Sequence, residues 1–201
     1  MKKHLFITGP SGIGKSTLLR QELGSALSYA GGFITERMLA EDGKLLGYDL
    51  FPAAAAVLRD SFEGRRFLDY SVTPPTHDNE VFREDGVRPL EQSLYYPFVF
   101  LDEIGGFELL VPQFRHALED VLNAELPVIG VLKEAAGADK LRRRLGLSER
   151  FSMTVDNLHA MLGADDDTVV LTMRERGDEV VRRIVSQWVK EYAVLPGGQS
   201  I

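Results

Sequence analysis

A glycine-rich segment near the amino terminus has the residue types and spacing of a phosphate-binding loop. Residues 9–16 read GPSGIGKS and fit the pattern G-x-x-x-x-G-K-[ST]. Triphosphate oxygens need several backbone N–H donors that point inwards, and only a tight loop with glycines brings the backbone that close. Lys15 would place its charge on the β- and γ-phosphates, and the hydroxyl of Ser16 is a hard ligand for Mg²⁺. The predicted nucleotide-binding residues are Gly9, Pro10, Ser11, Gly12, Ile13, Gly14, Lys15, Ser16 and Thr17.

Two consecutive acidic residues are candidates for the same chemistry. Asp102 and Glu103 follow the apolar run Phe98–Leu101. Ligands of parallel sheets bind at the carboxyl ends of the strands, so Asp102 comes close to the loop if its strand lies beside the first strand. There Asp102 and Ser16 would hold Mg²⁺, and Glu103 would accept a proton from an attacking water. A carboxylate in this place favours hydrolysis, with Lys15 and Glu103 as the catalytic residues.

Other polar residues are candidates on weaker grounds. Arg174 and Arg176 follow the last predicted strand, where an arginine of a P-loop fold can stabilise charge on the γ-phosphate; the alternative is a pair of surface arginines. Thr35 and Glu36 end a strand that is expected beside the first, near the metal. The basic run at 140–144 fits a lid over the phosphates or a nucleic-acid patch, although most such runs are solvated helix faces.

Apolar patterning places these residues on alternating strands and helices. Strands are predicted at His4–Thr8, Gly31–Glu36, Phe98–Leu101, Pro127–Leu132 and Thr168–Thr172, and helices at 14–28, 86–95, 112–123, 139–145 and 178–192. Turn-forming residues at 41–44 predict a β-hairpin at about 38–51, and two more short strands are predicted at 65–70 and 80–83. Strands that alternate with helices indicate an α/β fold with a mostly parallel sheet.

Composition limits the class of protein and its partners. The chain has 201 residues, a net charge of −7 and no cysteine, which excludes disulfides, thiolate metal sites and a thiol nucleophile. These features fit a cytoplasmic protein. The acidic balance does not favour nucleic acid as a partner. No apolar run approaches the ~20 residues that a membrane span needs, so no membrane association is expected.

Three stretches in combination resemble the small P-loop nucleoside-triphosphatases, a family that includes the cancer-related nucleoside-triphosphatase and thermophilic bacterial relatives. They are GPSGIGKST at 9–17, GGFITE at 31–36 and FLDEIGGFEL at 100–109. The resemblance runs from residue 1 to about 132 and, loosely, from 168 to 190. It implies a three-layer, RecA-like, doubly wound P-loop fold that hydrolyses ATP, GTP and other nucleoside triphosphates to the diphosphate and phosphate. The loop residues, Asp102 and Glu103 carry over directly.

The chain departs from this pattern in its second half. Lys133 and Glu134 stand where relatives tend to have a histidine with basic residues, and extra residues occupy 145–167. Glu108 matches a later acid of the family, and the sequence assigns it no role. We expect one P-loop domain at 1–195, with the hairpin as an insertion and 196–201 as a loose tail. Two other functions stay open at this point, a small-molecule or nucleoside kinase and a non-catalytic nucleotide-gated switch or assembly subunit. No oligomeric state is indicated.

Overall fold

One mixed β-sheet with helices on both faces organises the chain. The computed structural model describes residues 1–193, and the predicted tail at 196–201 lies outside them. The strands are β1 (His4–Thr8), β2 (Ala30–Leu39), β3 (Leu45–Pro52), β4 (Arg65–Asp69), β5 (Thr76–His77), β6 (Phe98–Ile104), β7 (Val128–Leu132) and β8 (Thr168–Thr172). The α-helices are α1 (Lys15–Leu23), α2 (Asn79–Val81), α3 (Val87–Glu91), α4 (Pro112–Asn123), α5 (Ala135–Leu145), α6 (Glu149–Ala164) and α7 (Glu179–Tyr192).

The strand order is β5-β4-β3-β2-β6-β7-β1-β8. Neighbouring strands from β2 to β8 along this order are parallel, while β3, β4 and β5 form an antiparallel extension. The α/β class and the mostly parallel sheet are therefore confirmed. The expectation that the strand of Thr35 lies beside β1 is wrong, and the condition stated for Asp102 is not met, because β7 separates β1 from β6 and β2 lies one strand further out.

Two apolar layers cover the two faces of the sheet. Alternate residues of a strand point to opposite faces, and in β6 Val99 packs into one layer while Phe100 packs into the other. Phe114 of α4 and Phe151 of α6 belong to the first layer, and Trp188 of α7 belongs to the second. This arrangement is the three-layer, doubly wound architecture.

The predicted hairpin is present, but its first arm is not a separate strand. β2 runs without interruption from the parallel part of the sheet to Leu39, and β3 pairs with it antiparallel from Phe33↔Pro52 to Leu39↔Leu45. Gly43 provides the positive φ of 80° that the connecting turn requires. The hairpin is thus a prolongation of a central strand, which brings residues of β3 and β4 towards the carboxyl end of β6.

The structure differs from the predicted elements in several places, of which three concern whole segments. Helix α1 ends at Leu23 because Gly24, with a φ of 49°, terminates it, and 24–29 is a 3₁₀ segment. The strand predicted at 80–83 is helical, since the Asp78 side chain accepts a hydrogen bond from the Glu80 amide at 2.9 Å and caps α2. Helix α6 was not predicted at all.

No helix within residues 1–193 is long and apolar enough to cross a membrane.

Candidate functional site

The glycine-rich loop connects β1 to α1 as the motif requires. Gly9 has a φ of 134°, and a Cβ atom there would lie 2.4 Å from the carbonyl oxygen of Met173, so a side chain cannot be accommodated. Gly14 has a φ of 106° and directly precedes the first turn of α1. The Lys15 ammonium lies inside the loop, donating to the carbonyl oxygens of Gly9 at 2.8 Å and Pro10 at 2.9 Å. A glycine-rich loop at a helix N-terminus with a lysine inside it is the arrangement that binds phosphate groups in proteins.

An open cleft of about 630 Å³ lies against this loop. It is lined by the loop, by the first two turns of α1, by residues at the end of β2 and by the segment after β8. Of the predicted nucleotide-binding residues, Ser11, Gly12, Gly14, Lys15, Ser16 and Thr17 line it. Gly9 is buried beneath the loop, Pro10 is exposed at its tip and Ile13 packs against the apolar layer of α1 and α7.

Asp102 lies beside the first turn of α1, although its strand is two positions from β1. Its carboxylate is 1% exposed and accepts hydrogen bonds from the Ser16 hydroxyl at 2.6 Å and from Arg20 Nη2 at 2.7 Å. Burial raises the pKa of Asp102, while the charge of Arg20 and the hydrogen bond from Ser16 act in the opposite direction. The structure thus brings together Ser16 and Asp102, the two predicted metal ligands.

Glu103 is turned away from Asp102 by an irregularity in β6. The pairing of β6 with β7 shifts register between Leu101 and Ile104, and Glu103 has a φ of 69°, which is rare for a residue other than glycine. Its carboxylate accepts a hydrogen bond of 2.7 Å from Lys133 Nζ. Burial alone would raise the pKa of Glu103, but the charge and hydrogen bond of Lys133, with Lys15, lower it. Glu103 is therefore ionised near neutral pH and held at the edge of the cleft.

Arg20 connects the metal-ligand candidates to β2. Its guanidinium lies 3.2 Å from Glu36 Oε1 and donates to the Thr35 carbonyl oxygen at 2.9 Å, in addition to its contact with Asp102. The Thr35 amide lies 3.5 Å from Asp102 Oδ2. Thr35 is consequently close to Asp102, and Glu36 is linked to it through Arg20, from the middle of β2 and not from a strand beside β1.

The two arginines after β8 differ in position. Arg176 lines the cleft, whereas Arg174 lies outside it and its amide approaches the Asp178 carboxylate at 3.5 Å. A third arginine, Arg37 at the end of the parallel part of β2, lines the cleft near Gly12. The structure therefore brings one of the two predicted arginines to the cleft and adds Arg20, Arg37 and Arg182, which the sequence did not indicate.

Glu108 supports the turn that follows β6. Its buried carboxylate accepts hydrogen bonds of 2.7 Å from the amides of both Gly105 and Gly106. Burial raises the pKa of Glu108, and the two amides act against this rise. The contacts give this acid a positioning role, because they fix the turn two residues after Glu103.

Lys133 and Arg20 are the charged contacts that the sequence reading missed. The sequence contains a feature that could have indicated each of these two contacts. Arg20 is four residues after Ser16, which places both on one face of α1. Lys133 directly follows the buried strand β7, and the carboxyl end of that strand faces the same edge of the sheet as the ends of β1 and β6.

Comparison with known proteins agrees with this geometry. A family profile described as NTPase matches residues 4–164. Nucleoside-triphosphatase THEP1 of Thermotoga sp. (strain RQ2) is 34% identical over 148 residues, which cover 70% of this chain and 80% of that protein. The cancer-related nucleoside-triphosphatase homolog of Mus musculus is 27% identical over 184 residues, which cover 81% of this chain and 94% of the relative.

A solved structure supports the fold independently of the sequence match. The crystal structure of THEP1 from the hyperthermophile Aquifex aeolicus is similar with a TM-score of 0.60 at 16% identity, covering 90% of this chain and 96% of that one. At this identity the likeness concerns the fold alone. Because the family profile spans most of the chain, from β1 to the end of α6, the chain belongs to the NTPase family.

Proposed function

We propose that this chain hydrolyses ATP, GTP and other nucleoside triphosphates to the diphosphate and phosphate, with Mg²⁺ as the metal. The observation that carries the proposal is the meeting of three groups at one sheet edge: the P-loop with Lys15, the Ser16–Asp102 pair and Glu103. The relatives named above are nucleoside-triphosphatases, which agrees with this reaction and does not favour a kinase or a non-catalytic switch.

The loop residues bind the phosphates in this proposal. Backbone N–H groups of the glycine-rich loop and the positive end of α1 attract the phosphate oxygens. Lys15 places its ammonium on the β- and γ-phosphates. Burial lowers the pKa of Lys15, and the charge of Glu103 partly restores it. Arg37 and Arg176, which both line the cleft, are the candidates for stabilising charge on the γ-phosphate.

The residues present fit a magnesium ion. Mg²⁺ prefers hard oxygen ligands and is commonly held by one or two protein oxygens together with substrate phosphates. Ser16 Oγ and Asp102 Oδ1 are adjacent, at 2.6 Å, and the buried carboxylate requires a cation nearby. Bound there, Mg²⁺ would neutralise charge on the β- and γ-phosphates. In its absence Arg20 balances Asp102.

Glu103 orients the attacking water. The water oxygen forms a bond to the γ-phosphorus while the bond from that phosphorus to the bridging oxygen breaks, and the diphosphate leaves. The ionised carboxylate of Glu103 accepts a hydrogen bond from this water, fixes its direction and takes up its proton as the bond to phosphorus forms, which a neutral glutamine cannot do. The other groups contribute positioning and charge stabilisation, on which phosphoryl transfer mainly depends. Lys133 holds Glu103 in place.

A cytoplasmic location belongs to the same proposal. It is supported by the lack of cysteine in all 201 residues and by the use of soluble nucleotides as substrates.

The test is phosphate release by purified protein with Mg²⁺ and a panel of triphosphates, without any added acceptor. Glu103→Gln should lower kcat by about 10²-fold or more while nucleotide affinity persists. Glu119→Gln, which alters an exposed carboxylate on α4, is the matched control and should leave turnover unchanged. Phosphate release that requires an acceptor, or that survives Glu103→Gln, would contradict the proposal.

A further inference from the structure

A second cavity lies beyond the Lys15 end of the P-loop. It measures about 260 Å³ and shares part of its wall with the larger cleft, namely Ser11, Lys15, Thr35, Tyr48 and Glu103. In the proposed function, Thr17 faces the α-phosphate and Lys15 faces the terminal phosphates. The nucleoside then extends over α1, and the second cavity lies past the γ-phosphate. This placement rests on the proposed function. We call it the distal cavity, and its wall includes Tyr48, Phe67, Tyr70, Lys133, Lys140 and Arg144.

One side of the distal cavity is aromatic. The ring centroid of Tyr48 on β3 lies 6.2 Å from that of Phe67 on β4 and 6.3 Å from that of Tyr70. Phe67 is almost fully buried, whereas Tyr48 and Tyr70 keep partly exposed rings. Such a wall suits a planar apolar group, since aromatic rings gain from offset or edge contacts with one another.

Another part of the wall is one basic face of α5. Gly137, Lys140, Leu141 and Arg144 line the cavity, and their spacing of three and four residues puts them on the same side of the helix. Arg144 places its guanidinium carbon 3.9 Å above the Tyr70 ring. Within the part of the chain that the structure describes, Lys140 and Arg144 form no ion pair, whereas Arg142 and Arg143 pair with Asp139.

A third cation, Lys133, lies deeper in the wall and donates to Glu103 at 2.7 Å. The acidic residues of the wall are Glu103, Glu108 and Glu134. Two of them have partners, since Lys133 pairs with Glu103 and the turn amides bind Glu108. Among the described residues, the wall groups without an ion pair are Lys15, Lys140 and Arg144, which are positive, and Glu134, which is negative, so their net charge is positive. An anionic group would gain from it, and an apolar ring would pack against the aromatic wall.

We propose that the distal cavity binds a small aromatic anion, with its ring against Tyr48 and its anionic group facing Lys140 and Arg144. The cavity adjoins the nucleotide cleft and shares part of its wall, and the two ligands are bound side by side. The ligand is a planar compound with one carboxylate or comparable anion, because the cavity of about 260 Å³ is small and its wall combines aromatic rings with positive groups.

The test uses 2-naphthoate, whose fluorescence reports binding. Its concentration is fixed and low, and the protein concentration is increased. Mg²⁺ and a non-hydrolysable ATP analogue are present in excess. Saturable binding is expected, and neutral 2-naphthamide should bind about tenfold more weakly. Arg144→Ala and Lys140→Ala should each weaken 2-naphthoate binding about three- to tenfold. Arg143→Ala, which removes the same charge from the same helix outside the cavity, should leave binding unchanged.

Several results would overturn the proposal. They are an absence of saturable binding, equal affinity for the amide, equal losses in Arg143→Ala and Arg144→Ala, or displacement of 2-naphthoate by the ATP analogue. Phosphate release by the same wild-type preparation separates the two proposals. Turnover without naphthoate binding contradicts only the distal site, and naphthoate binding without turnover contradicts only the proposed hydrolysis.

Discussion

Asp102 is a carboxylate whose charge depends on a neighbouring cation. It is buried, and Arg20 provides the positive charge that a buried carboxylate requires. Arg20→Met removes that cation, and we expect the free energy of unfolding of the nucleotide-free protein to fall by about 2–3 kcal/mol, somewhat below the cost for a fully buried pair. With Mg²⁺ and a non-hydrolysable ATP analogue the loss should shrink, because the metal then balances Asp102.

Urea unfolding with and without the ligands measures both effects. Arg88→Met is the matched control, because Arg88 pairs with Asp85 at 3.1 Å on the surface and is 65% exposed. Its change should stay within about 0.5 kcal/mol. An Arg20→Met deficit that is as large with ligand as without it would show that the metal does not replace the arginine.

Glu108 gives a pH-dependent stability. Because burial raises its pKa in the folded state above the ordinary value of 4.5, the folded protein holds this proton to higher pH than the unfolded chain. The contribution of Glu108 to the free energy of unfolding therefore falls as pH rises from about 4.5 towards the folded pKa, by at most about 1.4 kcal/mol per pH unit. Glu108→Gln has no such dependence.

The measurement is the difference in the free energy of unfolding between wild type and Glu108→Gln at several pH values from 4.5 to 7. As pH rises, the free energy of unfolding of the variant should increase relative to that of the wild type. The contributions of other groups, including Asp102, are the same in both proteins and cancel. Curves that run parallel over this range would contradict the rise in pKa.

At the scale of elements, motifs and apolar periodicity predicted the segments whose structure depends on residues near them in the chain. The P-loop, the strand before Asp102 and helix α4 at Pro112–Asn123 follow from motif and periodicity within a few residues. The position of β7 between β1 and β6 does not, because strand order depends on contacts between distant segments. For the same reason the Lys133–Glu103 pair, 30 residues apart, was not expected. Helix α6 was overlooked although Phe151, Val155, Leu158 and Leu162 recur at helical spacing.

That unpredicted helix should contribute strongly to stability. Phe151 is fully buried in the layer that also contains Phe114, whereas Met153, two residues on, is 65% exposed. We expect Phe151→Ala to lower the free energy of unfolding by about 3–5 kcal/mol, because it removes a large buried side chain and leaves a cavity. Met153→Ala should change it by less than about 0.5 kcal/mol. Urea unfolding compares the two, and equal effects would mean that α6 does not pack on the sheet as described.

At the scale of the whole molecule, the two apolar layers share one sheet, and this predicts that they unfold together. Leu118 of α4 belongs to one layer and Leu19 of α1 to the other, and each is at most 1% exposed. The single tryptophan, Trp188, reports only on the layer of Leu19. If the chain is one domain, Leu118→Ala and Leu19→Ala should each cost about 2–5 kcal/mol, and each should shift tryptophan fluorescence and far-UV circular dichroism equally.

The double variant makes the test stricter. The two side chains lie on opposite faces of the sheet and share no neighbour in their layers, so their costs should add within about 0.5 kcal/mol. Each single variant should also lose nucleotide affinity only in proportion to its unfolded fraction, because neither leucine lines the cleft. If Leu118→Ala shifted the circular dichroism transition and left the Trp188 transition in place, the layers would unfold separately, and the P-loop side would have to be treated as a domain in its own right.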